Sequence, residues 1–132
     1  MKTFTVLSLP AILACAMPAV AQTNQKMACL FTTECVDTDG CTATDYEMTL
    51  TYLLKPLGPK GMISRALKSD LAGETRGLMA VRNEMAQYIA GDIFEENEER
   101  LLVTETGDAR FVVTLPEIPM VITYSGRCEV IE

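Results

Sequence analysis

The feature that most constrains this chain is a two-residue alternation near its end. From Met120 to Val130 every second residue is apolar, a glycine or a cysteine, and the residues between them are polar from Thr123 onward. A period of two places alternate side chains on opposite faces of a β-strand. The pattern therefore predicts a strand with one face in a core, the face that carries Cys128.

Two further strands are predicted immediately before this one. Residues 101–104 and 110–115 are rich in β-branched and apolar residues, and they flank a polar turn that contains Gly107. Glycine supplies the positive φ that a tight hairpin needs. We expect three consecutive antiparallel strands in the last third of the chain.

The middle of the chain is less clear. Apolar residues alternate with polar ones from Tyr46 to Leu54, which predicts another strand. Residues 62–90 mix strand and helix periodicities. Because Gly73 and Gly77 would each cost about 1 kcal/mol relative to alanine inside a helix, we expect short strands near 62–69, 76–82 and 85–90, with a helical turn as the alternative.

The first residues have the pattern of a secretory signal peptide. A basic start, an apolar run over residues 3–17 and the small-residue site Ala19-Val20-Ala21 predict cleavage after Ala21. The alternatives are a membrane anchor, for which the run is short and interrupted by prolines, and a lipid attached at Cys15. We expect residues 1–21 to be removed and residues 22–132 to form a single β domain that is periplasmic or secreted.

Four cysteines remain after that cleavage, and an even number in a secreted chain predicts disulfides. Four cysteines allow three pairings. Cys35 and Cys41 flank a turn-rich loop that a local bridge would close, whereas Cys29 and Cys128 fall on the core faces of the first and last strands. We therefore expect Cys35–Cys41 and Cys29–Cys128, the second of which would join the two ends of a sheet.

The charge argues against some partners. The net charge is −7, and it becomes −8 when Lys2 leaves with the signal peptide. An acidic surface disfavours nucleic acid and anionic membranes, and we expect no stable membrane insertion after cleavage. The acidic run that includes Glu95, Glu96, Glu98 and Glu99 is either a hydrated connection or a contact patch for a cationic protein.

The chain lacks the residues and motifs that most catalytic mechanisms require. The chain contains no histidine, so Ser-His and Cys-His nucleophiles are excluded. Ser125 does not lie in a Gly-x-Ser-x-Gly turn, and no phosphate-binding glycine loop, metal-ligand spacing or cofactor motif is present. A carboxylate pair for glycoside hydrolysis stays open, because eighteen acidic residues always offer some pair. We expect a protein that is not an enzyme and has no cofactor.

Three segments carry a resemblance to known proteins. Residues 29–35 (Cys-Leu-Phe-Thr-Thr-Glu-Cys), 41–46 and 120–129 resemble an uncharacterised group of short secreted bacterial proteins with disulfide-bonded β folds. That resemblance implies no activity, but it supports pairing the first strand with the last. The chain is more weakly similar to periplasmic β-barrels that inhibit lysozyme, whose Ser-Gly motif Ser125-Gly126 matches. This second similarity implies a basic protein such as lysozyme as partner, with Ser125 in the contact.

Taken together, these patterns predict an all-β domain of seven or eight antiparallel strands. The strands would form a meander closed into a small barrel or a strongly bent sheet, because closure removes exposed edges. The expected function is non-catalytic binding or inhibition of an unknown target. The alternatives are a barrel that carries an apolar ligand and a carboxylate-based hydrolase.

Overall fold

The structure, a computed structural model, describes residues 23–54, 62–91 and 97–131. In these residues it contains no helix and eight strands: β1 (Thr23–Val36), β2 (Cys41–Leu54), β3 (Met62–Asp70), β4 (Gly73–Arg82), β5 (Met85–Ala90), β6 (Glu98–Val103), β7 (Asp108–Leu115) and β8 (Met120–Val130). Each strand is antiparallel to its neighbours, and β8 returns to pair with β1. The prediction of a meander closed into a small barrel is confirmed. The predicted signal peptide lies outside the described residues.

The antiparallel order defines two ends of the barrel. We call the end that carries the β1–β2, β3–β4 and β7–β8 turns the upper end, and the end that carries the β4–β5 and β6–β7 turns the lower end. In the β6–β7 turn, Gly107 adopts a φ of 90°. The predicted use of this glycine in a hairpin is therefore confirmed.

The region with mixed periodicity, residues 62–90, forms three strands. The short strands predicted there are confirmed and the helical alternative is wrong. Tertiary packing explains why residue 77 is a glycine. A Cβ at this position would lie 2.5 Å from Cε2 of Tyr88 and 2.5 Å from the carbonyl oxygen of Ile89. A glycine that breaks the helical pattern thus makes room for a buried aromatic ring on the next strand.

Apolar side chains fill the barrel. The largest fully buried ones are Phe31, Met48, Leu50, Met79, Tyr88, Leu101 and Phe111. An eight-stranded barrel is just wide enough for its inward side chains to fill it. Burying each large apolar side chain is worth about 1.5–3 kcal/mol, so this interior is the main source of stability.

The closure between β1 and β8 needs a local irregularity. The register of β1 shifts between Phe31 and Thr33 against both neighbouring strands, which is a β-bulge. Opposite the bulge, a Cβ on Gly126 would lie 2.0 Å from the carbonyl oxygen of Leu30. Only glycine allows the first and last strands to approach this closely.

Both predicted disulfides are confirmed. Cys29 is bonded to Cys128 with their Cα atoms 4.0 Å apart, and the bond joins β1 to β8 across the closure. Cys35 is bonded to Cys41 across the β1–β2 hairpin, with Cα atoms 4.1 Å apart. The first bridge is buried, whereas Cys41 is exposed. Disulfides form in oxidising compartments outside the cytoplasm.

Candidate functional site

A group of charged side chains lies inside the upper half of the barrel. We call Tyr46, Lys68, Asp70 and Glu99 the internal charge cluster. Lys68 is only 3% exposed, and its Nζ lies 2.6 Å from Oε1 of Glu99 and 3.4 Å from Oδ2 of Asp70. Lysine is almost never fully buried unless it is paired, and here it bridges two carboxylates from different strands.

Tyr46 completes this network. Its hydroxyl donates a hydrogen bond to Oδ2 of Asp70. Burial tends to raise the pKa of Asp70, but the hydrogen bond from Tyr46 and the nearby Lys68 ammonium outweigh burial and hold that pKa below its usual range. Burial and the bond to Asp70 raise the pKa of Tyr46. The cluster therefore holds an ionised carboxylate and a neutral phenol.

Aromatic rings enclose the cluster. The rings of Phe31, Tyr46, Phe111 and Tyr124 pack with centroids 4.8–6.1 Å apart. The Lys68 ammonium lies 5.1 Å from the centroid of the Phe111 ring, within cation–π range. Burial, and then the carboxylate of Glu34, raise the pKa of Tyr124. Lys68 is thus held by an aromatic ring as well as by two carboxylates.

One atom of the cluster has no partner. Oε2 of Glu99 is buried and accepts no hydrogen bond from any described residue. The carboxylates of Asp70 and Glu99 are only 8% and 14% exposed, so general acid–base chemistry on a substrate would require the aromatic rings to move. The geometry suits a structural ion network better than a catalytic pair.

The predicted acidic patch is divided by the strand geometry. Glu95 and Glu96 lie outside the described residues. Glu98 and Glu99 begin β6 and point to opposite faces: Glu98 pairs with Arg100, whose Nε lies 2.5 Å from its Oε1, and Glu99 pairs with Lys68 in the interior. The described part of the run therefore presents no continuous acidic surface.

Ser125 lies on the outer face of β8, half-buried, in register with Thr33 of β1 and Arg110 of β7. Glu98 pairs instead with Thr114, four residues farther along β7 from Arg110, which is about 13 Å of strand. The structure therefore does not bring Ser125 together with Glu98, the outward-facing described residue of the acidic run.

An unpredicted surface lies on the outside of β3–β7. Cross-strand register places Arg65, Leu78, Ile89 and Arg100 in one row across four strands. Leu78 and Ile89 are 55% and 46% exposed. We call this surface the arginine wall; its members are Arg65, Arg76, Leu78, Ile89, Arg100, Leu102 and Arg110.

Two shallow grooves flank the Leu78–Ile89 ridge. The larger, of about 610 Å³, is lined by Arg65, Arg76 and Leu78 among others. The smaller, of about 290 Å³, is lined by Ile89, Arg100, Leu102 and Arg110 among others. These residues are far apart in sequence. The sequence indicates only that each of them faces outward on its strand, and it does not show which of them lie side by side across the strands.

The opposite side of the barrel is acidic. Asp37, Asp39, Asp45 and Glu47 are exposed on the β1–β2 hairpin. A groove of about 400 Å³ lies at the base of the hairpin and is lined by Leu30, Glu47 and Leu71 among others. Among the described residues charge is thus unevenly distributed, and the arginine wall carries four arginines with Glu74 and Glu98 beside them.

In residues 23–54, 62–91 and 97–131 no helix is long and apolar enough to cross a membrane. The same residues contain no group of three or more His, Cys, Asp or Glu side chains that could hold a metal ion. No family model, no curated protein and no solved structure matches this chain.

Proposed function

We propose that this chain is a secreted or periplasmic, non-catalytic module that binds a protein partner through the arginine wall. The observation that carries the proposal is the exposed Leu78–Ile89 ridge with arginines on both sides. Large exposed apolar side chains grouped on one face commonly mark an interaction surface. The closed barrel would hold this surface rigid, which lowers the entropy cost of binding.

The chemistry of the wall indicates the chemistry of its partner. Protein interfaces combine an apolar centre with a polar rim, and arginine is enriched in them because its planar guanidinium binds carboxylates with two hydrogen bonds. Arg65 and Arg100 lie at the two ends of the Leu78–Ile89 row. The complementary surface would be an apolar patch bordered by carboxylates.

The other functions are less well supported by the geometry. A carrier of an apolar ligand needs a lumen, and large side chains fill this interior at Phe31, Met79, Tyr88 and Leu101. A carboxylate-based hydrolase needs accessible acids, and Asp70 is buried beside Lys68. A cationic partner such as lysozyme stays a proposal, but its support comes from the exposed acids of the β1–β2 hairpin and not from the acidic run.

The test is affinity capture with matched variants. The mature protein, a Leu78→Ser/Ile89→Ser variant and an Ile118→Ser/Val130→Ser control are immobilised and exposed to periplasmic extract and culture medium at about 0.15 M salt, where diffuse attraction is screened. The control removes two side chains that are also exposed, at 65% and 50%, but outside the wall. We expect an acidic protein that the wild type and the control retain and the wall variant loses.

The captured protein is then purified and titrated calorimetrically against the same three forms. A loss of affinity confined to the wall variant supports the proposal. Equal retention by all three forms, or loss only from the control, contradicts it. Purified lysozyme is titrated in parallel with an activity assay. Inhibition at the same salt concentration that is insensitive to the wall variant would identify the acidic side as the functional one.

A further inference from the structure

The barrel leaves part of one strand without a neighbour. Strand β2 has fourteen residues, but it pairs with β3 only through Thr49–Tyr52. Strand β3 ends at Asp70, and the chain then turns into β4. Residues 41–48, which we call the β2 edge, therefore pair with β1 on one side and with no described strand on the other. The β2 edge is about 26 Å long.

The backbone of the β2 edge has unused hydrogen-bonding groups. In an antiparallel sheet, successive residues direct their N–H and C=O groups alternately toward the two neighbouring strands. None of the backbone hydrogen bonds that the described residues form outside the strand ladders involves residues 41–48. On each side of the register shift between Ala43 and Tyr46, alternate residues thus direct their N–H and C=O groups away from β1 and toward no described strand. Such groups are the template on which an extended peptide adds as a further strand.

The side chains of the β2 edge indicate which side chains a strand paired with it would have. On the outer face Ala43, Asp45 and Glu47 are exposed, and on the inner face Tyr46 reaches into the barrel. At the lower end of the edge, Leu71 is fully exposed beside Leu30, in the groove of about 400 Å³. A strand that continued the line of β3 would place its outer side chains against two carboxylates and one end against these leucines.

The same charges exclude the simplest occupant. If the β2 edge paired with its counterpart on a second copy, Asp45 and Glu47 of both copies would lie close together, and like charges on facing strands repel. Lysine or arginine in those positions would instead gain opposite-charge pairs. The charge pattern selects a cationic strand from a different protein.

We propose that the β2 edge binds an extended segment of a partner protein as a ninth strand. The segment has lysine or arginine opposite Asp45 and Glu47, and an apolar residue that reaches Leu30 and Leu71. This inference goes beyond the proposed function, because it uses a different face of the barrel and a partner of opposite charge. The two surfaces are tested by different variants, so either proposal can fail alone.

The first experiment uses hydrogen exchange of the mature protein without any ligand. On each side of the register shift between Ala43 and Tyr46, amides within residues 41–48 should fall into two alternating sets, one protected by β1 and one that exchanges rapidly. A synthetic peptide of about eight residues in which lysine alternates with valine is then added at about 0.15 M salt. The rapidly exchanging set should become protected. Protection of both sets before the peptide is added, or no protection after it, overturns the proposal.

The second experiment separates backbone pairing from simple charge attraction. Two versions of the peptide carry N-methyl groups on alternate amides, so that each version loses one of the two rows of donors. One version should bind like the parent peptide and the other should not bind, because a strand on a sheet edge uses only one row. Binding by both versions, or by neither, contradicts strand addition.

The protein variants complete the test. Asp45→Lys/Glu47→Lys should weaken peptide binding by at least about tenfold, because two facing charge pairs are lost and like charges replace them. Glu84→Lys/Glu105→Lys makes the same change in net charge at the lower end of the barrel and should leave binding unchanged. Equal weakening in both variants would show that only net charge matters. Dimerisation of the wild type through this edge, detected by analytical ultracentrifugation, would replace the partner protein with a second copy.

Discussion

Charged side chains occur in two contrasting settings in this barrel. In the internal charge cluster, Lys68 lies with almost no exposure between Asp70 on its own strand and Glu99 on β6. On the arginine wall, Arg100 meets Glu98 with 66% of its side chain exposed. The same kinds of residue are thus buried on one face of the sheet and solvent-exposed on the other. Strand parity, and not residue type, therefore decides the setting of a charge here.

The largest effect should come from removing the buried cation. Lys68→Met leaves Asp70 and Glu99 without their shared ammonium, and breaking a buried ion pair on one side costs about 3–5 kcal/mol. Urea unfolding with both disulfides intact measures the change in free energy of unfolding. Arg100→Met, the exposed counterpart, should change it by less than about 1 kcal/mol. Equal costs for the two variants would mean that the cluster is hydrated, and the contrast between the two settings would disappear.

The two disulfides extend the comparison to covalent bonds. Replacing Cys29 and Cys128 with serine opens a closure between residues 99 apart in sequence and should cost about 2–5 kcal/mol. Replacing Cys35 and Cys41 opens a separation of only 6 residues and should cost about 2 kcal/mol on the chain-entropy model. Denaturant unfolding of both double variants checks the order. A larger loss from the hairpin bridge would contradict the view that the β1–β8 closure holds the barrel together.

The loss of stability at acidic pH should depend on Asp70. The pKa of Asp70 is lowered in the folded state by Tyr46 and Lys68, against the effect of burial. Its contribution to stability is therefore complete above the unfolded pKa of about 4, and it is lost as pH falls through the lower folded value. Asp70→Asn should weaken the fall in stability below about pH 4, as followed by thermal unfolding. Asp45→Asn, an exposed change of the same kind, is the control; an identical effect of both would contradict the assignment.

The smallest effect should come from an outer ion pair. Nη1 of Arg127 lies 2.9 Å from Oδ1 of Asp108, and 68% and 66% of the two side chains are exposed. Exposed pairs of this kind contribute about 0–1 kcal/mol. Arg127→Met should thus lie near the lower limit of detection in urea unfolding. A cost comparable to that of Lys68→Met would show that outer charges also hold the fold.

The predicted parts of the fold are those that depend on short-range patterns. Alternation predicted β8 and the strand from Tyr46, and the parity of Cys29 and Cys128 predicted the buried disulfide. The strands of residues 62–90 were predicted only with a helical alternative, because the apolar spacing there mixes both periodicities and the argument for strands was the cost of Gly73 and Gly77 to a helix. The role of Gly77 is to make room for the ring of Tyr88 on the next strand. The sequence does not show which residue of that strand lies beside Gly77.

The candidate sites were mostly hidden from sequence reasoning. Lys68 and Glu99 are 31 residues apart in the sequence. A lysine among other polar residues is expected at the surface, so the sequence around Lys68 does not indicate that its side chain lies in the barrel interior. The acidic run was considered as one surface, although adjacent residues of a strand face opposite sides, which separates Glu98 from Glu99. The arginine wall and the β2 edge are properties of register, which no single segment contains.

The strand character, the favoured pairing of the cysteines and the excess of negative charge can be read from the amino-acid sequence. These follow from two-residue periodicity, cysteine parity and composition, all of which are local or additive. The buried charges, the row that places Arg65 and Arg100 on either side of Leu78 and Ile89, and the part of β2 that extends beyond β3 are visible only in the folded structure. Those features depend on the register with which the sheet closes, and closure is a constraint on the whole chain, since each strand must satisfy two neighbours at once.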